Sequence, residues 1–124
     1  MLEMSKKTRK VPDVTIREMT DEDIQGVMAI DRMITGINRA LTYAATTDSY
    51  VGGELDVSVV AEAGGQIVGF LLGRIADSPY LRADVAWIQL IGVDPKYQRQ
   101  GIGSRLMEAF MECCRRRRVR SVHI

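Results

Sequence analysis

The residues best placed to do chemistry are Gln98-Arg99-Gln100-Gly101-Ile102-Gly103-Ser104. Two glycines stand one residue apart, between an apolar run (Trp87 to Val93) and an amphipathic one (Ile102 to about Arg116). Glycine accepts positive φ and lets a ligand come close to the backbone. The first N–H groups of a helix have no intrahelical acceptor, and the helix dipole makes that end partly positive. A strand, a glycine turn and a helix in this order form a cradle for a phosphate or pyrophosphate. Gln98 and Arg99 add donors beside it. The plain alternative is an ordinary tight turn; the flanking elements favour the anion site.

Other reactive side chains have simpler readings. Arg115 to Arg118 complement a helix C-terminus, with Glu112 within reach of Arg116. Cys113 and Cys114 are adjacent on one helix and serve as small apolar residues, not as a disulfide framework or a metal knuckle. His123, the single histidine, reads as a strand residue with no nucleophile or metal partner nearby in sequence. Trp87 reads as core packing. The methionines at 28, 33, 107 and 111 fill core at helical spacing. Asp21, Glu22 and Asp23 are helix-start charges, and no metal site is expected.

The 124 residues suffice for one domain with its own core. No apolar run approaches the ~20 residues of a membrane span. Residues 1 to 12 are expected to be a disordered leader, since they are charged and lack the apolar core of a secretory signal. The cysteine usage suggests a reducing, cytoplasmic setting. The net charge of +1 hides an asymmetry. Residues 96 to 124 carry eight bases against Glu108 and Glu112, whereas residues 11 to 95 carry five bases against thirteen acids. The basic end coincides with the glycine turn, which suits a polyphosphate ligand.

The elements that must position the turn follow from periodicity. Val14 to Arg17 alternates and predicts a first strand. Thr20 opens a helix to about Met33, with its hydroxyl as cap. Residues 35 to 53 mix a possible short helix with loop signals and suit a substrate-facing wall. Asp56 to Ala63 and Gln66 to Ile75 are strands around a Gly64-Gly65 hairpin turn. Asp77-Ser78-Pro79 ends the second. Ala83 to Val93 is a third central strand, apolar on both faces and expected to be buried. After the turn, Ile102, Leu106, Ala109, Phe110 and Cys113 form one helical stripe. Val119 to Ile124 is a last strand, parallel to its predecessor because a helix joins them.

This order of elements, with Gln98, Gly101 and Gly103 filling a Gln/Arg-x-x-Gly-x-Gly/Ala pattern after the third central strand, resembles the GNAT superfamily of acetyl-CoA-dependent N-acetyltransferases. The resemblance covers about residues 14 to 124. It implies an α/β (α+β) fold with a mixed, mostly antiparallel central sheet and flanking helices. It implies that backbone N–H groups from Arg99 to Ser104 hold the pyrophosphate of acetyl-CoA. The strand at Ile91, Gly92 and Val93 would pair with the pantetheine arm. The cofactor-holding set is then Ile91, Gly92, Val93, Gln98, Arg99, Gln100, Gly101, Ile102, Gly103 and Ser104. The implied reaction is attack of a primary amine, on a small molecule or a protein N-terminus or lysine, on the thioester. A backbone N–H near Ile91 would stabilise the oxyanion.

The chain departs from the family pattern twice. Where several members carry a glutamate on the third central strand, this one offers Trp87 and Gln89, with Asp84 as the nearest carboxylate. The catalytic candidates are therefore Asp84 and Gln89, the latter as an orienter of water, with Glu54 and Asp56 further off. The family also continues past the last strand with a helix and two strands, whose tyrosine often protonates the departing thiolate. The domain over 13 to 124 is thus expected to be C-terminally truncated, with a homo-oligomer (a dimer) covering the exposed last strand. Two alternatives stand beside the enzyme: a non-catalytic acyl-CoA-binding or oligomerising module, and a small nucleic-acid-binding domain using the basic C-terminal face. No membrane partner is expected.

Overall fold

A computed structural model describes residues 13–36, 57–76 and 85–124. The chain runs β1 (Thr15–Glu18), a 3-10 turn at Asp21–Asp23, α1 (Ile24–Thr35), β2 (Val59–Ala63), β3 (Gln66–Ala76) and β4 (Val85–Val93). A second 3-10 turn at Pro95–Tyr97, α2 (Ile102–Arg116) and β5 (Ser121–His123) complete it. The five strands form one sheet in sequence order. The first three pairings are antiparallel and β4–β5 is parallel. This is the expected mixed, mostly antiparallel sheet. The proposed leader, residues 37–56 and residues 77–84 lie outside the described residues. Among the described residues no helix is long and apolar enough to cross a membrane.

Strand alternation divides the core into two layers. Val59, Ala61, Leu71, Ile75, Ala86 and Ile88 pack with the α2 stripe of Ile102, Leu106, Phe110 and Cys113. Val60, Phe70, Leu72 and the partly buried Leu90 pack with Val27 and Ile30 of α1. Successive residues of a strand point to opposite faces, so α1 and α2 cover opposite sides of the sheet. Gly73 lets α2 sit close: a Cβ there would lie 2.5 Å from Phe110 Cε1. At the β2–β3 hairpin, Gly64 and Gly65 have φ of 57° and 79°, the signature of the tight turn their sequence predicts.

Four expectations change. The first helix begins at Ile24, four residues after Thr20, because Asp21–Asp23 form a tighter turn. There the Asp23 carboxylate reaches back to the Thr20 N–H (2.8 Å) and hydroxyl (3.2 Å) and also takes both terminal nitrogens of Arg17 (2.8 Å each). β4 is not buried on both faces: Trp87, Gln89 and Ile91 are exposed. Trp87 is exposed even though β5 pairs with it, so helix packing on the faces, not strand pairing at the edge, decides burial here. Trp87 is therefore not core, and at the end of α1 Met33 is exposed rather than core filler. The expected Glu112–Arg116 pair is present at 4.0 Å, alongside a closer Arg115–Glu112 bond at 2.7 Å and an Arg116–Glu18 bond to β1 at 3.2 Å.

Candidate functional site

Two backbone features meet at the C-terminal end of β4. The first is an open strand edge. β4 pairs with β3 along Val85–Val93, but with β5 only at Val85, Ala86 and Trp87. From Ile88 onward its outer edge faces no strand among the described residues. The register against β3 slips between Leu72↔Leu90 and Gly73↔Ile88, which leaves Gln89 as an extra residue. Such a bulge bends the strand and increases its twist. It also reverses the alternation: Ala86 and Ile88 face α2 before it, whereas Leu90 faces α1 after it. An open edge of this kind can pair with an extended ligand as with an added strand.

The second feature is the turn itself. The Asp94 N–H donates to Val68 C=O (2.8 Å), and the Asp94 side chain accepts from the Lys96 N–H (2.9 Å). Gln98 Nε2 donates to Val93 C=O (3.0 Å), so this side chain staples the turn to β4. Gln98 is thus a positioning residue at least as much as the ligand donor its sequence suggests. Arg99 and Gly101 take left-handed φ values of 68° and 83°, and Gly101 is the N-cap of α2. The Arg105 N–H bonds Gly101 C=O at 3.0 Å, which places the N–H groups of Ile102, Gly103 and Ser104 at the helix mouth, ahead of the first intrahelical bond.

The mouth is open. A Cβ built on Gly101 or on Gly103 meets nothing within 4 Å. That space, the helix dipole and the exposed Lys96 and Arg99 fit an anionic group such as a pyrophosphate. The sequence-predicted set is brought together: Ile91, Gly92 and Val93 end the open edge, and Gln98, Arg99, Gln100, Gly101, Ile102, Gly103 and Ser104 form the turn and the helix mouth it leads into. The residues present therefore fit acetyl-CoA as an edge-pairing arm joined to a pyrophosphate. Arg105 stands apart from this mouth, since its guanidinium donates to Val14 C=O (2.9 Å) and ties α2 to the start of the chain.

Of the catalytic candidates, Asp84 lies outside the described residues, and Gln89 is the exposed bulge residue. Sequence reading missed a pair beside it. The Trp87 and His123 rings lie 4.9 Å apart between centroids, tilted by 31°. Their juxtaposition follows from the parallel Trp87↔His123 register, which the predicted β4–β5 pairing contained without fixing.

The cysteines are not nucleophiles. Burial pushes the Cys113 thiol up and raises Cys114 to about 11, despite the nearby arginines. A cleft of about 260 Å³ between β1 and α2 is lined by Ile16, Val59, Ala109 and Cys113, with Arg116 and Glu18 paired across it. It lies on the far side of α2 from the open edge and shares no residue with it.

The family model that matches is the acetyltransferase (GNAT) family, over residues 30–124. Among curated proteins, the N-alpha-acetyltransferase RimI of Mycobacterium tuberculosis is 30% identical over 118 residues. That match covers 87% of this chain and 66% of the relative, so the chain spans just under two thirds of the relative's length. Among solved structures, Ard1 of Thermoplasma volcanium superposes with a TM-score of 0.69 at 31% identity, covering 88% of this chain and 68% of that one. The aminoglycoside N-acetyltransferase AAC(6')-Iy, solved with CoA, gives a TM-score of 0.74 at 17% identity and covers 94% and 79% of the two chains, a likeness of fold.

Proposed function

Because the chain belongs to the acetyltransferase (GNAT) family, we propose that it transfers the acetyl group of acetyl-CoA to the α-amine of a protein N-terminus. The observation that carries this reading is the open β4 edge leading directly into the glycine cradle at the mouth of α2. The acceptor class is supported by the relative named for N-alpha acetylation. When bound, acetyl-CoA supplies an activated acetyl thioester. The protein's part is then positioning and charge. N–H groups of Arg99 to Ser104 hold the pyrophosphate, and the β4 edge at Ile91 and Val93 orients the arm by main-chain hydrogen bonds. Backbone N–H groups just after the bulge face the place where negative charge develops on the carbonyl oxygen. Holding both reactants in this geometry supplies much of the rate enhancement.

Gln89 carries no charge and serves as an orienter of water, and Asp84 stays a candidate carboxylate at the entrance of β4. A cytoplasmic setting and a homodimer accompany this reading, the first supported by two unpaired, buried cysteines. Thiol release from acetyl-CoA in the presence of short peptides with unblocked N-termini tests the proposal. Release should require the peptide and stop when its α-amine is blocked. A rise in melting temperature with CoA but no release with any peptide would support the binding module instead.

A further inference from the structure

We infer that Arg74 selects acceptors that carry a carboxylate side chain close behind the reacting α-amine; this rests on the acetyl-transfer reading above. The two faces of the sheet take different partners. After the bulge, Val93 packs on the α2 side, whereas a Cβ on Gly92 would meet Phe70 and Ile34 on the α1 side. Alternation puts Ile91 on the side of Val93. The glycine cradle and the edge residues leading to it thus lie toward α2, which leaves the α1-side face of the open edge to the acceptor.

Arg74 stands on that face. Leu72 belongs to the α1-side layer, and a Cβ on Gly73 would strike Phe110 of α2, so the next side chain, Arg74, points to the α1 side. Ala86 and Ile88 point toward α2, so Trp87 and Gln89 share the face of Arg74. The register runs Arg74↔Trp87↔His123 across three strands. The stacked Trp87 and His123 rings, both exposed, form a floor beside the guanidinium. With strands about 4.8 Å apart and residues about 3.3 Å apart along a strand, the Arg74 backbone lies roughly 8 Å from that of Gln89. A long arginine side chain and the side chain of a bound peptide meet across that gap.

The charge of Arg74 has no answer within the fold. Three arginines are half-buried among the described residues: Arg17, Arg74 and Arg105. Arg17 holds Asp23 and Glu62, and Arg105 donates to Val14 C=O. Arg74 has neither an ion pair nor a side-chain hydrogen bond among the described residues. A guanidinium stays charged, so drawing it partly out of water without a partner is costly. A carboxylate on the acceptor restores the pairing, with two parallel N–H···O bonds available. A neutral amide restores less of it, and a lysine adds repulsion.

Reach sets the position. The amine reacts just past Gln89, and the Arg74–Trp87 rung lies two to three residues back along β4. An extended peptide advances about 3.3 Å per residue, so the second or third acceptor residue comes level with Arg74.

Thiol release with peptides carrying Glu, Gln or Lys at the second and third positions tests the inference. The parent should show a KM on the order of tenfold lower for Glu than for Gln at one of these positions, with Lys the poorest. Arg74→Glu should invert that order, and Arg74→Met should remove the difference between Glu and Gln. Both variants should keep the CoA-induced rise in melting temperature, since Arg74 lies on the face away from the cradle. KM values within about twofold for the Glu and Gln peptides in the parent would overturn the inference alone. A preference for Glu that persists in Arg74→Glu would overturn it equally. A parent protein that releases no thiol with any peptide would sink the acetyl-transfer reading and this inference with it.

Discussion

Asp23 shows how much one carboxylate organises at the start of the fold. It is 5% exposed, accepts from Thr20, and holds the Arg17 fork at 2.8 Å on both oxygens. Arg17 also reaches Glu62 of β2 at 3.0 Å, so the cluster joins β1, the turn and β2. The Arg17 bond is the main cause that holds the Asp23 carboxyl below its ordinary value near 3.8, against the opposing push of burial. A carboxylate with a depressed folded pKa adds stability above its unfolded pKa and loses it as pH falls through the folded value. Asp23→Asn should therefore cost about 1–2 kcal/mol at pH 7, a figure reduced because Arg17 is one third exposed. Urea unfolding should show the gap between the two proteins closing as pH is lowered through and below the ordinary carboxylate range. The charge run at 21 to 23 was legible in sequence as a helix start. The Arg17–Glu62 and Trp87–His123 pairs were not, because they are cross-strand contacts fixed by register. Gly101, Ile102 and Gly103 were legible because their signal is local.

α2 carries its whole logic in sequence at one end and half of it at the other. Its start needs a left-handed N-cap, and Gly101 supplies it. Its end closes with Val119 N–H to Cys114 C=O (2.9 Å) and Arg118 N–H to Arg115 C=O (3.1 Å), the pattern of a helix stop that favours glycine. Arg118 occupies that left-handed position with φ of 62° and is exposed. A non-glycine residue there bears a steric cost of roughly 1–2 kcal/mol. Arg118→Gly should raise stability by about 1 kcal/mol after the extra entropy cost of glycine. The urea midpoint should rise with an unchanged slope, and CoA binding at the other end of the helix should not change. β4 was the least legible element. Its apolar composition predicts burial, but Trp87, Gln89 and Ile91 are exposed, and the bulge at Gln89 switches the face that the following residues present. Gly92 has a packing reason that no local pattern shows: a Cβ there would lie 2.9 Å from both Phe70 Cε2 and Ile34 Cδ1.

At the scale of the molecule, the sheet is closed on one side of β4 and opens on the other, and the helix mouth stands at the end of the opening. α1 and α2 hold the sheet from both faces, so the opening is a property of strand register and not of a cavity. That is why the cleft between β1 and α2 is not where the ligand belongs. The succession of elements and the glycine turn were predictable from periodicity and turn residues, and the mixed, mostly antiparallel sheet from the family resemblance. The opening was predictable only through family resemblance, since it depends on how far two distant strands pair. The most direct measurement is the set of backbone amide shifts on titrating the protein with CoA, read in the parent and in Gly103→Trp. The account predicts the largest shifts at Arg99 to Ser104 and at Ile91 to Val93. It also predicts their loss in the variant, whose side chain fills the open space in front of the helix. Shifts centred on the β1–α2 cleft, or undiminished binding by Gly103→Trp, would contradict it.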